Sequence, residues 1–151
     1  MEQDARSSAL AFLKAHKTGV LATLASKGPR ARTVYYACDH SFSIYFVTHG
    51  DTRKWEDLQA DARAAFVVSD EHVPQTVQIE GAVTNLTKTA LIEPALVDLT
   101  MVLLSNTNYF APLTRFNPAD MVFLKLTPSW VRWGDFTSGA HTEEVLREIA
   151  P

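Results

Sequence analysis

Short strand-like runs joined by tight turns constrain this chain more than any other feature. Val20-Leu21-Ala22-Thr23-Leu24 is a nearly continuous apolar run, and Lys27-Gly28-Pro29 after it is turn chemistry. From Arg30 to Ala37 the residues alternate. Arg30, Arg32, Val34 and Tyr36 take one face; Ala31, Thr33, Tyr35 and Ala37 take the other. Asp39-His40-Ser41 makes the next turn, and Phe42 to Thr48 the third strand. Three strands joined by turns this short predict an antiparallel meander.

Residues 5–16 precede it as a short amphipathic helix, with Ala9, Leu10 and Leu13 on one side and Gly19 as a stop soon after. A helix at about 52–60 follows the third strand. Ala64 to Val68 reads as a fourth strand and Thr76 to Leu86 as a fifth. Gly81 shares a face with Val77, Ile79 and Val83, which suggests a bulge or bend. A second helical pattern runs through Ala95, Leu96, Leu99, Val102 and Leu103. Pro94 fits only its first turn, so it starts near residue 93. Residues 105–118 read as a loop rich in Asn, Thr and aromatics. Met121–Leu126 and Trp130–Trp133 read as two strands around Thr127-Pro128-Ser129, and Thr142–Ile149 as a short terminal helix. The expected fold is mainly β with flanking helices: a six- to seven-stranded antiparallel barrel, closed or nearly so.

At 151 residues, with no repeat, low-complexity tract or linker, the expectation is one domain over 1–151. Apolar residues make up 46% and charged residues 21%, as in ordinary globular proteins. The net charge is −3 and no basic tail or stripe exists, so nucleic acid is an unsuitable partner. No apolar run approaches the ~20 residues of a membrane span, and the first residues do not resemble a signal peptide. Cys38 is alone, so no disulfide framework or thiolate cluster is available. A cytoplasmic setting is the expectation.

The chemistry concentrates in Gly50-Asp51-Thr52-Arg53-Lys54-Trp55-Glu56-Asp57-Leu58. This stretch carries a strand into a helix, with Asp51 the expected N-cap. Arg53 and Lys54 then fall in the first helical turn, where the dipole makes a cation unfavourable by roughly 0.3–1 kcal/mol. Either both side chains point into water, or an anion binds there and draws on backbone N–H groups, dipole and both cations together. Arg32 would join them if its strand pairs with the strand feeding the helix. Three positive charges suit a phosphate monoester, which carries about −1.5 to −2. The five histidines show no ligand spacing, so no metal site is expected. No G-x-S-x-G, Walker A or dinucleotide glycine fingerprint occurs. Trp130 and Trp133 stand three apart on a presumed strand and so face opposite sides. One belongs to a core; the other is free to cover a flat ligand or to enter a second core or interface.

The chain resembles the pyridoxamine 5′-phosphate oxidase-like family, the flavin mononucleotide (FMN)-binding split barrels, over roughly residues 8–135. The resemblance rests on Val20-Leu21-Ala22-Thr23-Leu24 before a Gly-Pro turn, on Arg32, and on Val47-Thr48-His49-Gly50-Asp51-Thr52-Arg53-Lys54. Thr76-Val77-Gln78-Ile79-Glu80-Gly81 and Trp130-Val131-Arg132-Trp133 add to it. It implies an FMN phosphate held by Arg32, Thr52, Arg53 and Lys54, and an isoalloxazine ring bordered by the backbone of Val47 and Thr48. It also implies that Thr76 or Gln78, and Trp133, reach the flavin from the second subunit of a homodimer.

The chain departs from a true pyridoxamine phosphate oxidase in the substrate half of the site. The family's second basic residue, five positions after the strand Arg, is Ala37 here. The C-terminal Arg-x-His is replaced by Trp133-Gly134-Asp135-Phe136-Thr137-Ser138-Gly139, and from Asn106 to Asn117 only Arg115 is basic. The resemblance therefore implies an FMN-dependent oxidoreductase acting on another small molecule, uncharged or aromatic. Its alternatives are a deazaflavin-dependent reductase, or a non-catalytic carrier of flavin, haem or another tetrapyrrole; the haem reading wants a His near the dimer cleft, for which His49 or His72 qualifies.

Overall fold

The computed structural model describes residues 2–87, 98–99, 120–137 and 145–151. Among the described residues the elements follow in the order α1 (Glu2–Ala15), β1 (Thr18–Ala25), β2 (Gly28–Tyr35), β3 (Ala37–Cys38), β4 (Ile44–His49), α2 (Arg53–Ala60), β5 (Arg63–Asp70), β6 (Gln75–Asn85), β7 (Met121–Asp135) and β8 (Leu146–Ile149). The strands form one antiparallel sheet in the order β2-β1-β5-β6-β7-β4-β3, with β8 also on β7. Its two ends, β2 and β3, are separated in the chain by Tyr36 alone. The sheet therefore curls round towards itself into the expected split barrel.

The meander is corrected in one respect. β1 and β2 do pair, from Thr18↔Tyr35 to Ala25↔Gly28. The third predicted strand, observed as β4, pairs with β3 and β7 and not with β2. The cause lies in the turn before it. Asp39 Oδ1 accepts from the amides of Ser41 and Ser43, and Phe42 takes φ 60°. This Asx-type turn folds β4 back on the two-residue β3 and away from β2.

β4 explains its own continuous apolar run, because both of its faces are covered. Ile44 and Phe46 join the main core with Leu21, Phe66, Val77, Ile79, Leu124 and Val131. Tyr45 and Val47 face a second cluster containing Ala37 and Leu99. α1 covers the main core with Ala9, Phe12 and Leu13. Burial of each large apolar side chain contributes about 1.5–3 kcal/mol. Tyr36 fastens α1 to the split by donating its hydroxyl to the Leu13 carbonyl at 2.6 Å.

β7 is one strand where two were predicted. Pro128, which lacks an N–H, is accommodated by a register shift: Glu80 pairs with Trp130 and Gly81 with Pro128, so Ser129 is the extra residue and the bulge lies on β7, opposite the Gly81 position where the sequence suggested one. The predicted terminal helix is also corrected, since Leu146–Ile149 form a strand on β7. The second helical pattern and the 105–118 loop lie outside the described residues, apart from Asp98–Leu99, which are helical. Among the described residues no helix is long and apolar enough to cross a membrane.

Candidate functional site

The helix start differs from expectation by one residue. Thr52, with φ −80° and ψ 150°, is the N-cap and accepts from the Trp55 amide at 3.3 Å. Its single hydroxyl proton goes to the His49 carbonyl at 3.0 Å. The buried Thr48 hydroxyl, 2.8 Å away, must therefore be the donor in the Thr48–Thr52 bond. Asp51 is drawn aside to His49 Nδ1, which is why it does not cap. Arg53 and Lys54 then occupy the first two helical positions, and their amides have no acceptor among the described residues.

Arg53 is exposed, whereas Lys54 is half-buried. Burial, and after it the charge of Arg32, pushes the Lys54 ammonium down to about 8. The two cations that the sequence put near one anion are thus close enough to repel each other. They do not meet through β2–β4 pairing. Arg32 approaches α2 across β1, where it stands opposite Leu21. Its Nη1 donates to Thr23 Oγ1 at 2.6 Å and to the Leu21 carbonyl at 3.4 Å, and its Nη2 lies 3.5 Å from Asp57 Oδ2. Burial lowers the Arg32 pKa, opposed by the charge of Asp57.

Sequence reasoning missed Asp57, Arg30 and Thr23. Asp57 lies on the inner side of α2 and is 6% exposed. Arg30 Nη1 donates to both of its oxygens, at 3.0 and 3.3 Å, and Thr23 Oγ1 donates to Oδ2 at 3.3 Å. A signal was present. Arg30 shares the β2 face of Arg32, and Asp57 sits beside Leu58 on the apolar side of the helix, where a lone carboxylate needs partners.

The remaining predicted residues are divided. Val47 and Thr48, at the end of β4, lie just before the helix start. Thr76 and Gln78 stand on β6, and no hydrogen bond or ion pair links them to the Arg32–Lys54 cluster. Thr76 Oγ1 donates to the Val68 carbonyl at 3.1 Å. Gln78 Oε1 accepts from Arg132 Nε and Nη2 at 3.1 and 2.7 Å. Trp133 lies in the core: it is 4% exposed and packs on Phe12 at 5.4 Å between centroids. Trp130 takes the outward position instead. Arg132 lies over its ring at 5.2 Å. The ring also borders a trough of about 260 Å³ with Val20, Ala22, Val67, Gln78 and Glu80 on the outside of the sheet.

His49 has Asp51 on Nδ1 and Asp120 3.7 Å from Nε2, while His72 is exposed. Among the described residues no three His, Cys, Asp or Glu side chains gather as a metal ion requires.

The fold has solved counterparts. A conserved hypothetical protein of Mycobacterium tuberculosis aligns over 89% of this chain and 88% of its own, with TM-score 0.69 and 19% identity. A FAD-binding protein of Mesorhizobium loti aligns over 83% and 88%, with TM-score 0.67 and 20% identity. A heme-binding protein of Mycobacterium smegmatis aligns over 99% of this chain but 57% of its own, with TM-score 0.60 and 18% identity. At these identities the likeness is one of fold. No curated protein matches the chain in sequence. The family model described as pyridoxamine 5′-phosphate oxidase matches residues 6–133. With the split barrel around it, that match makes the chain a member of the pyridoxamine 5′-phosphate oxidase family.

Proposed function

We propose that this chain is an FMN-binding flavoprotein, an oxidoreductase that works as a homodimer in the cytoplasm. The observation that carries the reading is the charge arrangement at the start of α2. Lys54 is half-buried next to Arg32, Arg53 stands beside it, and the Arg53 and Lys54 amides have no acceptor among the described residues. An anion resolves all of these at once. The donor set suits a phosphate monoester of about −1.5 to −2 charge. When bound, FMN supplies the hydride and electron transfer, and the protein supplies position and electrostatics. Arg32, Arg53 and Lys54 would hold the phosphate. Thr52, whose hydroxyl is already committed to capping, would act through the helix geometry it fixes. Val47 and Thr48 would border the ring, and Gln78 would approach it from the partner.

The FAD-binding neighbour supports a flavin. Haem is less well supported, because His49 is engaged by two carboxylates and His72 is exposed. The outer trough supports the dimer, since Val20, which lines it, and Leu24 on the same strand β1 stay 38% and 37% exposed. Cytoplasmic chemistry suits a single buried thiol, which burial pushes up to about 11 at Cys38.

The test compares FMN with riboflavin, which lacks the phosphate. Lys54→Ala should weaken FMN by about 2–5 kcal/mol, the usual effect of removing one partner of a desolvated charge pair. Riboflavin binding should hardly change. Equal loss for both flavins would contradict the assignment, and a haem spectrum in purified protein would replace it.

A further inference from the structure

A buried carboxylate is out of place beside a phosphate, yet Asp57 sits within 3.5 Å of Arg32. Its contacts suggest a use for it. Arg30 Nη1 makes the shortest guanidinium contact with Asp57, at 3.0 Å, with a longer one at 3.3 Å to the other oxygen, so one cation faces the carboxylate directly. Thr23, 1% exposed, donates to Asp57 and accepts the 2.6 Å bond from Arg32. A chain results: Arg32 to Thr23 to Asp57, closed from the other side by Arg30.

The donors of Arg32 can be counted. A guanidinium has five N–H groups. Nη1 spends its two on Leu21 and Thr23, and Nη2 points one towards Asp57. The Nε–H and the second Nη2–H have no acceptor among the described residues. They form one side of the guanidinium, a two-pronged fork of the kind that clasps phosphate or carboxylate.

We infer that Asp57 is a positioning residue for the anion: with Thr23 it pins the far end of Arg32 and leaves the Nε–Nη2 edge for the ligand's phosphate, while Arg30 cancels its charge. This rests on reading the start of α2 as a phosphate site. The opposite role, a resident anion competing for Arg32, would require a short Arg32–Asp57 bond. That bond is the longest in the network.

The experiment titrates wild type, Asp57→Asn, Thr23→Val and Lys54→Ala with FMN and, separately, with riboflavin, following flavin fluorescence. Asp57→Asn should raise the FMN Kd about tenfold or more, as loss of a charge-assisted anchor does. Thr23→Val, which removes only the hydroxyl relay, should act in the same direction. Both should leave riboflavin unchanged. A purely structural role for Asp57 would weaken both flavins alike, and a competing anion would give tighter FMN binding in Asp57→Asn; either result overturns the inference. If Asp57→Asn does not fold, Thr23→Val decides by the same criterion. Wild type that binds both flavins equally, with no effect of Lys54→Ala, removes the phosphate site and the inference together. A wild-type preference for FMN that Lys54→Ala abolishes and Asp57→Asn leaves intact removes the inference alone.

Discussion

Lys54 is the residue whose chemistry is easiest to reach from outside. Its ammonium is held at about 8, against an ordinary 10.5, because burial and Arg32 both disfavour the charge. Between those two values the unfolded chain binds more protons than the folded one, so the ligand-free protein gains stability as pH rises through that window. A bound phosphate favours the charged form and raises the pKa again. FMN binding near pH 8.5 should therefore take up a fraction of a proton, and affinity should fall at higher pH. Calorimetry in two buffers of different ionisation enthalpy measures this uptake. The phosphate itself, with a second pKa near 6, does not interfere. No uptake, or uptake that survives Lys54→Met, would contradict the placement. Arg53 and Lys54 were legible because two cations at a helix start are a local anomaly. For Arg30 and Asp57 the sequence carried half the signal, an Arg on the strand face of Arg32 and a carboxylate on an apolar helix side, but nothing local says that the two will meet.

At the scale of elements, the β6–β7 pair carries the most specific expectation. A Cβ on Gly81 would stand 2.0 Å from the Thr127 carbonyl oxygen, a backbone atom that cannot swing away. Gly81→Ala should cost about 3 kcal/mol, at the upper end of ordinary point substitutions. For a domain of this size that lowers Tm by roughly 6–12 °C, measurable by thermal denaturation. An unchanged Tm would mean that the bulge relaxes freely. The bulge was legible from a lone glycine in an apolar pattern. The continuity of β7 was hidden by Thr127-Pro128-Ser129, which is turn chemistry in isolation but carries the bulge of a continuous strand in the sheet. β8 was misread because Val145 and Ile149 are four apart and both buried, a spacing that fits one turn of helix. The open N–H and C=O groups of β7 make it a strand, and they belong to a different part of the chain.

The whole molecule is expected to be a dimer and a poor pyridoxamine 5′-phosphate oxidase. An obligate interface would bury over ~2,000 Å². Light scattering at micromolar concentration should give twice the mass of one chain, and a fully flavin-loaded monomer would end that reading. The family's second basic position is Ala37, now seen to be buried in an apolar cluster with Tyr45 and Val47. Arg132, whose partners Gln78 and Trp130 line the trough, is tied to the first and stacked on the second. Oxygen consumption with pyridoxamine 5′-phosphate should stay near background. Turnover near a typical enzyme median of about 10 per second would restore the oxidase assignment. The barrel class was legible in the rhythm of strands and turns, whereas the strand order was not, because it is set by pairings between distant segments. That order governs how the chain reaches its fold. Phe46 must wait for Leu124, and Val20 for Val67, before β4 and β1 are covered. During synthesis β4 leaves the ribosome long before its partner, with an apolar run and open backbone groups on show. Folding should be slow, in the millisecond-to-second range of non-local β topologies, and exposed to aggregation at that stage.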